Sequence, residues 1–555
     1  MLFNLNTSHS SFRLIDILAR RRVLSITLVG ILSFGGSWLF STFRGMPVPL
    51  VDDEFSYLLA GDTFAHGRIT NPTHPLWESF ETFNVLQRPT YMSMHQPGQG
   101  IFLALGQVVF GRPIFGVWLS AGLMCAAICW MLYAWVPPRW ALIGGLVAVL
   151  QFGIFTYWSQ SYWGGAVAGI GGALVFGALP RIIKYQRLRD TLFLGLGIGI
   201  LVNTRPLEGV LFGIPLGCMV LPWKIKWQSL DKRLLIKNVV LPFILLILAI
   251  AALTGTYNKK ITGNAWEFPH VLVSKLSLVV PVCIWQPLYP QVHYNHKVWT
   301  DYFRNWYNWY IIYYHDKRTW KGFTQDMFGD SVKMYTFFLG FPLALPSLPI
   351  MMQLFCSRKT AGRYFISLCI ILFLFGMITY RVKAYFIASL TCFAVLLITI
   401  GLRGFFWLNF RQKQIGPTLI ICLISLQLLL NIIFTPQQVV VSLARNIQSS
   451  SVIPAKAGIF NRIDLPPSFT REELKNILMK RGGKYLVIVK YPLWHNYFWE
   501  WVHNDADIDH SPIVWAREMD EEHHKKLLEY FKDRQVLFID VCWDMPDFFR
   551  YDARQ

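Results

Sequence analysis

Residues 20–54 read RRRVLSITLVGILSFGGSWLFSTFRGMPVPLVDDE. Three arginines precede a segment, Val23 to Thr42, that is apolar over the thickness of a bilayer, and no small-residue cleavage site follows it. It reads as a retained anchor with its amino terminus inside. Shortly beyond it come three consecutive carboxylates, Asp52, Asp53 and Glu54. Ionised side chains in a row repel one another and are costly to hold near low-dielectric lipid, so a working role explains them better than packing does.

The rest of the chain continues the pattern of residues 23–42. Of 555 residues, 54% are hydrophobic and only 15% charged, which describes a polytopic membrane protein rather than a soluble one. Apolar segments recur near 113–136, 140–157, 163–180, 191–204, 206–222, 238–257, 334–354, 364–380, 384–402 and 416–434, for about eleven crossings. With the amino terminus inside, every second connection is cytoplasmic. Those connections hold the basic clusters: Arg139; Arg181 to Arg189; Lys224 to Lys237; Arg358 to Arg363; Arg403 to Lys413. The net charge of +20 is therefore largely topological, and its dispersal over many short loops argues against a nucleic-acid partner.

The same parity leaves three larger pieces outside: residues 43–112, residues 258–333 and the tail beyond 434. In the first, Tyr57, Ala60, Gly61 and Phe64 recur at helical spacing, and Gly98 to Phe110 is apolar but too short to span, so both suit helices lying along the membrane surface. The second is rich in aromatics, among them Trp299, Tyr302, Trp306, Tyr307, Trp309 and Tyr310, as expected of an interfacial belt or of a surface that binds sugar rings. The tail opens with a linker over 435–470. A small α/β domain follows over 471–555, with strands at Lys484 to Tyr491 and Gln535 to Val541 and a helix over Glu521 to Arg534. Asp505, Asp507 and Asp509 alternate there, but the glycine and distal glutamate of a calcium loop are missing.

Only Cys283 and Cys542 of nine cysteines fall outside, which leaves room for one bridge and no disulfide framework. No glycine-rich nucleotide loop and no cysteine–histidine metal spacing occurs. The outer segments carry no acceptor for asparagine-linked glycosylation, which fits a bacterial inner membrane.

An anchor followed directly by an outer Asp-Glu pair, then some ten spans and a soluble tail, resembles the GT-C glycosyltransferases, and most of all their protein-mannosyltransferase-like branch (family 39), with the lipid A aminoarabinose transferases as cousins. The resemblance covers residues 20 to 434. It rests on Asp53-Glu54, on the loop through Gly67, Arg68 and His74, on Tyr162-Trp163-Gly164-Gly165 and on Arg205-Pro206-Leu207-Glu208-Gly209. It implies a mainly α, GT-C-type membrane helix bundle, with the small extracytoplasmic α/β domain at its carboxy end. The implied activity takes a sugar from a polyprenyl-phosphate carrier and passes it, with inversion, to a glycan, lipid or protein acceptor.

That chemistry needs a base near the acceptor hydroxyl and positive charge near the departing phosphate. Matching the family's pair, Asp53 is the expected general base, with Asp52 and Glu54 raising its proton affinity or orienting the acceptor. The rival reading is that Asp52 or Asp53 caps the helix that follows. For the phosphate, Asn203 to Pro206 form a turn where a helix begins with proline at its first position; its free amides and the Arg205 guanidinium favour an anion, with Glu208 one turn on to hold the arginine. The bland alternative is an arginine snorkelling to headgroups. Arg381 and Lys383 break the positive-inside pattern, as a phosphate-binding rim or contact with anionic lipid would require. Tyr162, Trp163 and His74 complete the expected substrate side. Some cousins carry a second acidic residue in the next outer loop, which Ser159 to Gly165 lacks, leaving Asp62, Glu78 or Glu81 as substitutes. His66, His74 and His95 offer donors for a divalent ion without a helical pair spacing, so no cofactor or metal is expected. Against this stands a secondary transporter, which keeps its ionisable groups near mid-membrane, or a non-catalytic lipid-handling protein.

Overall fold

The structure is a computed structural model of the chain. It describes residues 10–207, 209, 231–277, 307–356, 384–434, 461–465, 470–491 and 500–541, with scattered positions between 280 and 300. A mainly helical body carries a small parallel sheet at its carboxy end. The helices are α1 (Ser10–Arg20), α2 (Arg22–Arg44), α3 (Asp52–Ala65), α4 (Pro97–Phe110), α5 (Ile114–Leu132), α6 (Pro138–Ala148), α7 (Tyr157–Gln160), α8 (Gly165–Tyr185) and α9 (Leu188–Val202). They continue as α10 (Lys232–Thr262), α11 (Pro269–Ser277), α12 (Tyr307–Lys317), α13 (Trp320–Leu339), α14 (Phe341–Cys356), α15 (Thr391–Phe405) and α16 (Gly416–Phe434), and the tail adds α17 (Arg471–Arg481) and α18 (Glu521–Tyr530).

Among the described residues, six helices are long and apolar enough to cross a membrane, or seven if the bent pair α13–α14 is counted as one span. Hydropathy gave about eleven. Segments 206–222 and 364–380 lie almost wholly outside the described residues. Segment 140–157 becomes α6, which passes into a π-helical turn (Val149–Gly153) and unwinds, and 191–204 becomes α9, a helix of 15 residues.

The break after α6 explains a feature of the anchor. Unwinding frees the Gly153 carbonyl inside the body, and α2 meets it with a buried serine stripe: Ser33 and Ser37 donate to that oxygen at 3.2 and 2.6 Å. Backbone polar groups at membrane depth need such partners. Beyond α2, α3 and α4 pack so closely that a Cβ on Gly61 would stand 2.7 Å from the Leu103 Cβ. This contact fixes the two helices against each other.

The tail sheet has the order β5-β8-β6-β7, all parallel, from β5 (Asn461–Leu465), β6 (Tyr485–Lys490), β7 (Ile513–Arg517) and β8 (Gln535–Val541). A two-stranded hairpin, β1 (Val85–Leu86) with β2 (Met92–Ser93), precedes α4, and another, β3 (Asn409–Phe410) with β4 (Lys413–Gln414), joins α15 to α16. Strands β6 and β8 and helix α18 stand where the sequence put them. Strand β5 falls inside the stretch read as linker, so the sheet begins before residue 471. One face of the sheet packs on α17 with Trp501. The other, through Leu486, Ile488, Val514 and Val536, packs on α18 and on Leu59, Phe80, Val85 and Tyr91 of the loop over 43–112. The tail therefore sits on the loop that carries the carboxylates.

Candidate functional site

Helix α3 starts at Asp52, after Val51 in extended conformation, so Asp52, Asp53 and Glu54 occupy its first three positions. The third position can reach back over the helix start. Glu54 does so: Oε2 accepts from the amides of Leu50 at 2.9 Å and Val51 at 3.3 Å, and Oε1 accepts from the Tyr162 amide at 2.9 Å. Burial pushes its carboxyl up to about 7 against the pull of those three amides. The capping expected of Asp52 or Asp53 is thus performed by Glu54, which ties α3 to the loop before α8.

Asp52 and Asp53 face Asn84. Its side-chain amide donates to Asp52 Oδ2 at 2.6 Å and to Asp53 Oδ1 at 2.9 Å. Asn84 holds a φ of +59°, a left-handed conformation that asparagine adopts more readily than most residues, and its own carbonyl accepts from Ser56 Oγ at 2.6 Å and the Met94 amide at 3.0 Å. One residue at the mouth of the β1–β2 hairpin thereby bridges the two carboxyl groups. Asp52 is buried, while the Asp53 side chain keeps 22% of its surface open.

His95 completes this side. Its Nε2 lies 3.2 Å from Asp53 Oδ1, its ring stacks on Tyr57 at 4.0 Å, and its carbonyl accepts from the Tyr257 hydroxyl at 3.2 Å. The next residues begin α4, whose first turn reaches the turn just before Arg205: the Gly98 amide donates to the Asn203 carbonyl at 2.7 Å, and a Cβ on Gly98 would lie 2.2 Å from the Thr204 methyl. Arg205 is half-buried, and its carbonyl accepts from the Gly209 amide at 3.0 Å, as in the helix start expected at Pro206. Its charge acts on Tyr157 and on His270. Burial, then the neighbouring His95 and Arg205, hold His270 down at about 4. The Asp53 carboxylate, the His95 imidazole and the turn that carries Arg205 therefore all adjoin the start of α4.

The structure brings Asp52, Asp53, Glu54, Tyr162 and Arg205 into this region. Tyr162 acts through its backbone, and its hydroxyl donates to the Pro47 carbonyl at 3.1 Å. Trp163 packs edge-on to Tyr157 at 5.4 Å. Glu208, Arg381 and Lys383 lie outside the described residues, as does Cys542. His74 stands elsewhere. It is buried between loop and tail, where Nδ1 accepts from the Leu76 amide, Nε2 meets Asp509 at 3.1 Å, and the ring stacks on Phe531. It serves the docking of the tail, because Tyr530, at the end of α18, and Phe531 just beyond it pack against its ring. Asp62 accepts from the Ala506 amide at 2.8 Å, Glu78 meets His523 at 3.1 Å, and the Glu81 carbonyl accepts from Arg517, so all three proposed substitute acids also lie at that junction. The histidines weighed as metal donors are dispersed: His66 pairs with Asp62, His74 with Asp509 and His95 with Asp53. Among the described residues no three metal-binding side chains converge. Asn84, Gln96, Gln99 and His270 had no motif to announce them; an asparagine between apolar neighbours ahead of a hairpin was the one local signal.

The tail covers the helix as well. His503 stacks on Phe55 at 4.3 Å, and the Arg471 guanidinium lies 4.8 Å over the same ring while donating to the carbonyls of Trp501 and His503.

No protein-family model matches the chain, and no curated protein does. Among solved structures it is similar to the apo oligosaccharyltransferase of Archaeoglobus fulgidus, at 10% identity and a TM-score of 0.43, over 84% of this chain and 62% of that one. It is similar to the Archaeoglobus fulgidus oligosaccharyltransferase AglB in complex with an inhibitory peptide and a dolichol-phosphate, at 11% identity and 0.41, over 86% and 62%. It is similar to apo ArnT from Cupriavidus metallidurans, at 12% identity and 0.43, over 96% and 90%. The chain thus spans 62% of the length of the two archaeal chains it matches.

Proposed function

We propose that this chain is a membrane glycosyltransferase that moves a sugar from a polyprenyl-phosphate carrier to an acceptor hydroxyl on the outer side of the bacterial inner membrane. The observation that carries the reading is that Asp53, partly open, hydrogen-bonded to Asn84 and 3.2 Å from His95, stands beside the start of α4, whose Gly98 amide bonds the turn that carries Arg205. Asp53 takes the acceptor proton as the acceptor oxygen bonds to the anomeric carbon. The bond from that carbon to the carrier phosphate breaks on the opposite face, and the phosphate leaves with the electron pair. A positioned base contributes roughly 10²–10⁴ in rate. Arg205 meets the charge that grows on the leaving phosphate, helped by the amino end of the helix that starts at Pro206. In this reading Arg381 and Lys383 also bind the phosphate, Glu208 holds the Arg205 guanidinium, and Trp163 contacts the substrate.

In this reading the amino terminus lies in the cytoplasm and the tail outside it, as the dispersed basic clusters favour. The acceptor is a glycan, a lipid or a protein hydroxyl, and the surrounding partners are membrane lipids. The purified chain in nanodiscs, given isoprenyl-phosphate sugars and envelope extract as acceptor, releases free isoprenyl phosphate if the reading holds. Uptake of a solute into vesicles without such release would make the protein a transporter instead.

A further inference from the structure

The first turn of α4 holds two buried acceptors with no donor. Gln96, the residue before the helix, and Gln99 are each 2% exposed, and the Oε1 atom of each has no hydrogen-bond partner. Which end of each amide carries the oxygen follows from its neighbours. Gln99 Nε2 donates to the Tyr162 carbonyl at 3.0 Å, and a carbonyl can only accept. Asn258 donates its own amide to the Ala265 carbonyl at 3.3 Å and so presents Oδ1 to Gln96 Nε2 at 3.4 Å. Flipping either glutamine would set oxygen against oxygen, so the orphaned atom in each case is the carbonyl oxygen.

Buried polar groups are nearly always satisfied, and each exception calls for a cause. Bulk solvent does not reach either oxygen. Their position supplies a cause. Gln96 follows His95, which touches Asp53; Gln99 holds the loop whose Tyr162 amide binds Glu54; and Gly98, between them, bonds the turn that carries Arg205. Gly164 faces Gln99 without a side chain, and a Cβ there would stand 3.2 Å from Gln99 Cβ and 3.6 Å from Oε1.

Resting on the transferase reading above, we infer that the first turn of α4 is the sugar subsite, and that Gln96 and Gln99 accept hydrogen bonds from two hydroxyls of the transferred sugar. The sugar's anomeric carbon then stands between Asp53 and the phosphate at Arg205. Seating it displaces the residues that cover the two oxygens, and a polyhydroxylated ring compensates by bringing the donors. A donor lacking one of those hydroxyls leaves an acceptor unsatisfied, so the two glutamines determine which sugar is used.

The test uses the full chain in nanodiscs with a panel of isoprenyl-phosphate hexoses and pentoses, followed by the monodeoxy analogues of whichever is turned over best. Wild type is expected to lose roughly 10- to 100-fold in kcat/KM on one or two of the deoxy donors. Gln96→Met and Gln99→Met are expected to lose a similar factor on the parent sugar and little further on the matching deoxy donor. Equal losses by the variants on every donor, or none on any, overturn the subsite. Binding of the parent hexose 1-phosphate, read as a thermal shift, keeps the two claims apart. Binding that depends on the glutamines without turnover of any donor sinks the transferase and keeps the subsite. Turnover that is indifferent to the glutamines does the reverse, and neither binding nor turnover removes both.

Discussion

Replacing Asn84 separates its two jobs. Its amide makes two hydrogen bonds to carboxylates, at 2.6 and 2.9 Å, and its backbone sits at φ +59°. Asn84→Gly removes only the amide, because glycine occupies positive φ without strain. Bonds to charged groups contribute about 1.5–3 kcal/mol each; Asp52 is buried but Asp53 is partly open to water, so the pair is worth about 2–4 kcal/mol here. Asn84→Ala loses the same bonds and adds about 1–2 kcal/mol for a Cβ in the left-handed region. The reporter is local: the Met94 amide donates to the Asn84 carbonyl at 3.0 Å, so hydrogen exchange at Met94 reads the opening of the β1–β2 hairpin. Exchange is expected to quicken roughly 30- to 1,000-fold in the glycine variant and about tenfold more in the alanine variant. Unchanged protection in both would mean that the amide does not bridge the carboxylates. Alanine tolerated better than glycine would refute the backbone assignment.

Other outcomes follow from the same structure. Glu54 is held at about 7 against an ordinary 4.5, so folding favours its neutral form; that contribution is whole below about 4.5 and is lost as pH rises through 7, about 3 kcal/mol in all. The midpoint of chemical denaturation in detergent should fall across that window, and Glu54→Gln should lessen the fall. Arg517 and Glu500 pair at 2.7 Å with 1% of each side chain exposed, and Arg517 also binds the Glu81 carbonyl. Arg517→Ala strands the carboxylate at a cost of about 3–5 kcal/mol and should free the tail from the outer loop, seen as faster proteolysis of residues 500–541. Gly61→Leu forces side-chain atoms into Leu103 and should cost about 1–3 kcal/mol, measured as a lower denaturation midpoint.

The residues that order themselves by local pattern were legible. The anchor, α3, α4, β6 and β8 announce themselves by apolar length, helical spacing or a run buried on both faces, as in Tyr485 to Val489. Strand β7 was hidden because it ends on Arg517, a charge that pairing with Glu500 makes tolerable inside. Strand β5 was hidden by its brevity within a proline-bearing stretch. At the site, the carboxylate triplet was visible and its division of labour was not. Only the fold brings the Leu50, Val51 and Tyr162 amides to Glu54, and Asn84, thirty-odd residues on, to its two neighbours. His74 looked like His95 on paper, and the docking of the tail on the outer loop separates them.

The most direct measurement compares release of isoprenyl phosphate by wild type and by Asp53→Asn, alongside binding of isoprenyl phosphate to each. Asparagine keeps the shape but cannot take a proton, so turnover should fall roughly 10²- to 10⁴-fold while the lipid phosphate, held at Arg205, binds as before. Turnover within a few-fold of wild type would place the base elsewhere and contradict the assignment of Asp53.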